Sequence, residues 1–245
     1  KWHKGATNNE FQRIIRPTNI YRAERPVDSS NGVALHTVTV CDLASRELSC
    51  TATGTLGAPG RVVYVSPSSV YVWTTEWNHG YAASRRAKSR SMLYKMPLDG
   101  SAPSAVGVTG SPVDQFSFLE SGDEHLNVLV RSDGQGEQMW GSEFAAGDVA
   151  LFRRPVDRFS GGRLGAPGYR YQDLPKPEGY TFQNRFVGDY LLYGTGSGWG
   201  RPENKTAADL FAVNKSSGDG SELMRKHGVD RSKQVSEDYL VAGPN

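Results

Sequence analysis

The sequence predicts an all-β protein built from a repeated four-stranded antiparallel unit. Three observations lead there. Strand-forming Val, Thr, Tyr, Phe and Trp are interspersed with turn residues, and 28 Gly and 13 Pro among 245 residues supply the breaks. Leucines open four similar runs, at Leu35, Leu93, Leu151 and Leu210, with spacings of 58, 58 and 59 residues. A second hairpin signature follows each run, and two hairpins make four strands.

The first signature reads ALHTVTVCDLASREL, SMLYKMPLDGSAP, VALFRRPVDRFSGG and ADLFAVNKSSGDGSE. Each is an apolar start, an alternating strand and a polar turn, with Asp42, Asp99, Asp157 or Asn214 opening the turn. The second reads RVVYVSPSSVYVWTTEW, QFSFLESGDEHLNVLVRS, QNRFVGDYLLYGTG and KQVSEDYLVAG, each two strands around a short polar turn. Four strands in about 40–45 residues, repeated in tandem, is the pattern of β-propeller blades. A sandwich predicts no recurrence of this length. The expected blades are 34–77, 91–134, 148–196 and 207–245. Residues 1–33 are polar, carry Pro17 and Pro26, and read as less than a blade, such as the end of a preceding one. VVYVSPSSVYVW is apolar at nearly every position, as a strand covered on both faces should be. Tyr64, Tyr71, Phe116, Phe118, Tyr190 and Tyr193 are therefore expected in the packing between blades. Rings larger than four blades are common, so the chain is expected to belong to a larger propeller. Further blades would come from upstream or from another chain.

The passage GVTGSPVDQFSFLESGDEHLNVLVRS, Gly107 to Ser132, resembles a segment of a family of secreted bacterial and archaeal β-propeller proteins distantly related to WD40 repeats. The matching positions are Gly107, Gly110, Gln115, Phe116, Ser117, Glu120 and Leu126. Asp114 stands where that family has Asn, and Leu129-Val130-Arg131 replace its Ala-Thr-Thr. The close match spans about a tenth of the chain. The resemblance implies an exported propeller without a defined activity.

Charge excludes one function class. A net charge of +2, with Lys and Arg spread along the chain, is too small for a nucleic-acid partner. The densest basic run, SRRAKSR, reads as a solvated loop. No stretch reaches the roughly 20 apolar residues that span a bilayer. Cys41 and Cys50 flank a polar turn between two runs rich in Val and Thr. Paired as a hairpin, they face each other and can form a disulfide; the alternative is two free thiols. A disulfide implies an oxidising compartment, hence a secreted, periplasmic or cell-surface protein.

Catalytic motifs are absent: there is no GxSxG, GxxxxGK[ST], HExxH or CxxC. The five histidines are scattered singly, and no cofactor is expected. The acidic turn Glu120-Ser-Gly-Asp123-Glu124 could hold calcium, but it lacks the alternating oxygen ligands of an EF-hand loop. Its reading is an exposed hairpin turn.

Topology is more informative. Three long segments, Thr75 to Arg90, Asp133 to Gly147 and Ser197 to Ala208, are expected to connect successive blades on one rim. Each carries a tryptophan: Trp77, Trp140 and Trp199. His79, Tyr81, Arg85, Arg86, Glu137 and Arg201 stand nearby. Long loops on a rigid scaffold are where function concentrates, and aromatic residues and Arg dominate partner binding. These tryptophans either cap the blades or bind. The functional expectation is a recognition or assembly module for a protein, peptide or glycan. One rival is a hydrolase or lyase acting on a polysaccharide or lactone at the propeller axis, with His36, Lys95, Arg153 and Arg154 as the available groups. Another is a structural subunit of a surface assembly. The pentapeptide LGAPG, which occurs at Leu56–Gly60 and again at Leu164–Gly168, falls out of register with the repeat and reads as turn chemistry used twice.

Overall fold

A computed structural model describes residues 5, 15–27, 32–44, 49–76, 91–134, 145–177, 181–196, 208–216 and 220–226. They fall in two compact units, Lys1–Asp173 and Leu174–Asn245. In the first unit, β1 (Ile20–Arg22) is followed by the hairpin of β2 (Ala34–Asp42) and β3 (Ser49–Gly57). β1 lies parallel to β3, giving the order β1-β3-β2. A second sheet is an antiparallel meander of β4 (Gly60–Val65), β5 (Ser69–Thr75), β6 (Ser91–Pro97) and β7 (Ser104–Val108). The third begins with β8 (Phe118–Ser121), β9 (His125–Gly134) and β10 (Ala145–Pro155). The chain then leaves this sheet: β11 (Gly161–Gly165) runs parallel to β7 as a fifth strand of the second sheet. It returns as β12 (Tyr171–Leu174), beside β10. The second unit is one antiparallel sheet of β13 (Thr181–Val187), β14 (Tyr190–Gly196), β15 (Ala208–Asn214) and β16 (Gly220–Lys226).

Alternation along β5 shows why the second sheet sits in the middle of the first unit. Every residue of β5 is buried. Tyr71 and Trp73 point to one side, where they join Val62, Leu93, Phe118, Val128 and Phe152. Val70 and Val72 point to the other, with Met92, Tyr94, Met96 and Ala23. A strand covered on both faces must be apolar at successive positions, as its sequence is. Trp73 also meets Phe118 and Phe152 edge-on, at 6.3 and 5.9 Å between ring centres. Burying a side chain of this size contributes about 1.5–3 kcal/mol.

The recurring leucines mark equivalent strands, with a change of phase. Leu93, Leu151 and Leu210 lie on β6, β10 and β15, each the third strand of its sheet. The expected blades began at these leucines; hydrogen bonding instead joins β4 and β5, from 34–77, to β6 and β7, from 91–134. A tandem repeat has no marked starting point in sequence, and β3 and β4 are so close in the chain that they resemble one unit. The short link between them is the first LGAPG. Pro59, which has no N–H to donate, separates the strands, and the chain crosses from one sheet to the next. The second copy carries β11 into β12. Turn chemistry is the common factor.

The polar turns also repeat. Asp42, Asp99 and Asn214 each accept a hydrogen bond of 2.9 Å from the backbone N–H two residues on. Asp157 departs from this and lies 3.7 Å from its neighbour Arg158. Among the aromatics expected in the packing, Tyr71, Phe118 and Tyr193 are buried, and Tyr64 stacks on Phe118 at 5.5 Å. Phe116 and Tyr190 are corrections: they are 46% and 50% exposed. Phe116 sits in a 3-10 turn before β8, and Tyr190 is the first residue after the Gly188–Asp189 turn. Both stand at the margin of a strand, where burial is incomplete.

Candidate functional site

The three long segments share one origin. Thr75 pairs with Ser91 and brackets 77–90 between β5 and β6. Gly134 pairs with Ala145 and brackets 135–144 between β9 and β10. In the second unit, 197–207 joins β14 to β15. They therefore connect the second and third strands within one sheet, where the sequence suggested links between blades. The correction follows from the change of phase. Both kinds of connection open at the same end of a meander, so the strand end from which each segment leaves is unchanged. Trp77, His79, Tyr81, Arg85, Arg86, Glu137, Trp140, Trp199 and Arg201 lie outside the described residues.

The roots of the first two segments are tied together. The Gly110 carbonyl accepts from Trp73 Nε1 at 3.1 Å and from the Ser91 hydroxyl at 2.8 Å. Ser91 also stands 3.3 Å from the Thr75 hydroxyl across the base of 77–90. Gly110 has φ +76°, and a Cβ there would lie 2.5 Å from the Arg131 carbonyl oxygen. Only glycine satisfies both demands. Ser111 and Arg131 then exchange two backbone hydrogen bonds of 2.9 Å. The Arg131 side chain is buried, and its Nη2 donates to the Gly147 carbonyl at 3.0 Å. Burial pulls its pKa down, with Asp148 opposing. Sequence reading missed Ser91 and Arg131, which carry no motif of their own. The Gly107–Gly110 spacing was the available signal.

A small depression is lined by Arg25, Pro26, Val27, Ala58, Thr74, Glu76, Ser91 and Met92, beside the paired ends of β5 and β6. Two titratable groups are buried close by. His36 Nε2 is 2.9 Å from the Ala58 carbonyl, and burial lowers the ring's pKa. The Tyr94 hydroxyl donates to the Leu56 carbonyl at 2.9 Å. Burial pushes its pKa up to about 12, with Glu76 adding to the effect. Both contacts join side chains to backbone, which is a packing arrangement. Lys95 likewise donates to the Val156 carbonyl at 3.1 Å. The groups weighed for chemistry at an axis, His36, Lys95, Arg153 and Arg154, lie on β2, β6 and β10.

At the opposite strand ends, the acidic turn is occupied by its own donors. Glu120 accepts from the Tyr71 hydroxyl at 2.8 Å and the Ser68 hydroxyl at 3.2 Å. Burial and this carboxylate raise the pKa of Tyr71 well above the usual phenol range. Asp123 accepts from Ser121 and Arg153, which hold its carboxyl below the ordinary value. These carboxylates tie strands together and do not converge. Among the described residues no three His, Cys, Asp or Glu side chains are grouped as metal ligands would be. Cys41 and Cys50, directly opposite across β2 and β3 with Cα atoms 4.1 Å apart, form a disulfide.

In the first unit the antiparallel strands β4–β7 pack through a shared core on β8–β10, and each set has a connection between its second and third strands, as successive blades of a β-propeller type of domain do. The chain matches the family model described as Beta propeller domain over residues 2–149, more than half its length, and belongs to that family. No curated protein and no solved structure matches it. Among the described residues no helix is long and apolar enough to cross a membrane, which does not bear on spans made of strands.

Proposed function

We propose that the protein is an extracytoplasmic recognition module without chemistry of its own, binding a protein, peptide or glycan. Segments 77–90 and 135–144 carry the binding side chains in the first unit, and 197–207 carries them in the second. One observation supports this most: the three tryptophan-bearing segments leave from equivalent strand ends, two of them on roots locked by Gly110, Ser91 and Arg131. A stiff base with long loops suits recognition. The disulfide fits an oxidising compartment. Arrays of glycans and of peptides, probed with the intact protein and with a W77A/W140A/W199A variant, test the reading. Binding should fall at least about tenfold in the variant. Equal binding by the two would overturn it.

A second reading, assembly with further propeller blades, rests on β2. The other leucine-bearing strands, β6, β10 and β15, are paired on both sides, whereas β2 has β3 alone among the described residues. Val33, Leu35, Val40 and Leu43 are exposed on or beside it. A nine-residue edge with apolar side chains is a template for another strand. Mass measured under native conditions decides: self-association or a co-purifying propeller chain supports assembly, and a lone monomer opposes it.

A further inference from the structure

Two consecutive arginines near the end of β10 face opposite ways. Arg153 is neutralised, since its Nη2 donates to the Asp123 carboxylate. Among the described residues Arg154 has no such partner. Its Nη2 donates to the Arg158 carbonyl, and its guanidinium lies 5.8 Å from the centre of the Phe159 ring. The ionisable groups that act on it are Arg170, the hydroxyls of Tyr169 and Tyr171, and Arg158. β12 pairs with β10, so the turn Gly168–Arg170 that precedes β12 is brought back to the end of β10. Arg170 stacks over Tyr169 at 5.1 Å, and Tyr169 is 79% exposed. Among the described residues, the buried Nε atoms of Arg154 and Arg170 find no acceptor, and nor does that of Arg153. Arg158 has Asp157 at 3.7 Å, and both side chains are more than two-thirds exposed.

Arg158 and Arg170 thus both act on the Arg154 guanidinium from the end of β10 and the turn before β12, and among the described residues Asp157 is the one carboxylate ion-paired with any of the three. Like charges so placed repel, and orphaned N–H donors are costly to bury, unless an anion brings acceptors. The guanidinium fork suits oxyanions in particular. We propose that Arg154, Arg158 and Arg170 form a binding site for a polyvalent tetrahedral oxyanion, a phosphate or sulfate group, beside the exposed ring of Tyr169. A monovalent carboxylate would leave the cluster uncompensated. The site lies at the end of β10 opposite segment 135–144, so it stands independently of the tryptophan-bearing segments.

Titration calorimetry and thermal unfolding of the intact protein with sodium phosphate, sulfate and acetate, at constant ionic strength, test this. Phosphate or sulfate should bind saturably and raise Tm, and whichever binds identifies the source. R158Q and R170Q should each weaken binding at least about tenfold. R163Q, an exposed arginine on β11 in the neighbouring sheet, should leave it unchanged. R158Q alters an exposed side chain, so it remains informative should R170Q disturb the turn. Absence of saturation up to ~10 mM of either tetrahedral anion, equal binding of acetate, or the same loss in R163Q would overturn the proposal.

Discussion

At Gly110 a single carbon atom matters, because a Cβ would lie 2.5 Å from the Arg131 carbonyl oxygen on a backbone already at φ +76°. Gly110→Ala should destabilise the fold by at least about 2 kcal/mol, read as a lowered midpoint of chemical denaturation. A midpoint equal to that of the parent would show that this root is not rigid. His36 gives a pH-dependent counterpart. Burial lowers its pKa below 6.5, so as pH falls the unfolded chain takes up the proton first. The stability concerned is present above pH 6.5 and is lost as pH falls through that value towards the folded pKa. Unfolding free energies at about pH 7.5 and about pH 5 should therefore fall more for the parent than for His36→Gln. Equal slopes would remove His36 as a cause. Asp114 shows how far a single residue was legible. It replaces the Asn of the related family, yet its carboxylate accepts from the Phe116 N–H at 2.8 Å and caps the turn that leads into β8. The substitution is conservative in its chemistry.

At the scale of elements, the hairpin of β2 and β3 is the clearest success of the sequence. Cys41 and Cys50 flank a polar turn between two runs of strand formers, and the register sets them opposite each other. Reduction, or the C41S/C50S variant, should cost about 2–3 kcal/mol in the chain-entropy account, measured by denaturation with and without reductant. No change on reduction would mean that β3's other contacts fix the hairpin unaided. Strand positions were also readable, because two-sided burial demands continuous apolar runs such as that of β5. Sheet membership was not. Spacing shows where strands recur but not which neighbours bond, and the five residues from Leu56 to Gly60 look like any tight connection. The excursion of β11 to β7 was likewise invisible. GGRLG has few strand formers, and the contact depends on Gly107 coming close to Gly165.

For the whole molecule, the repeat was legible through its leucines and its turn-opening Asp and Asn, since both serve the same local geometry in successive sheets. The proposed binding residues were chosen only by type, as aromatic and charged side chains in long connecting segments, and they lie outside the described residues. What they touch depends on contacts between segments distant in sequence, which spacing does not encode. The arginine site illustrates this: Arg154, Arg158 and Arg170 meet because β12 returns to β10 after visiting another sheet. The central claim is that Trp77, Trp140 and Trp199 belong to loops carried on sheets that fold without them. Calorimetry of the W77A/W140A/W199A variant tests it directly. The account predicts a Tm within about 2 °C of the parent, as for substitutions outside the core. A loss of more than about 10 °C, the scale expected when buried tryptophans are removed, would contradict it and make these side chains caps on the sheets.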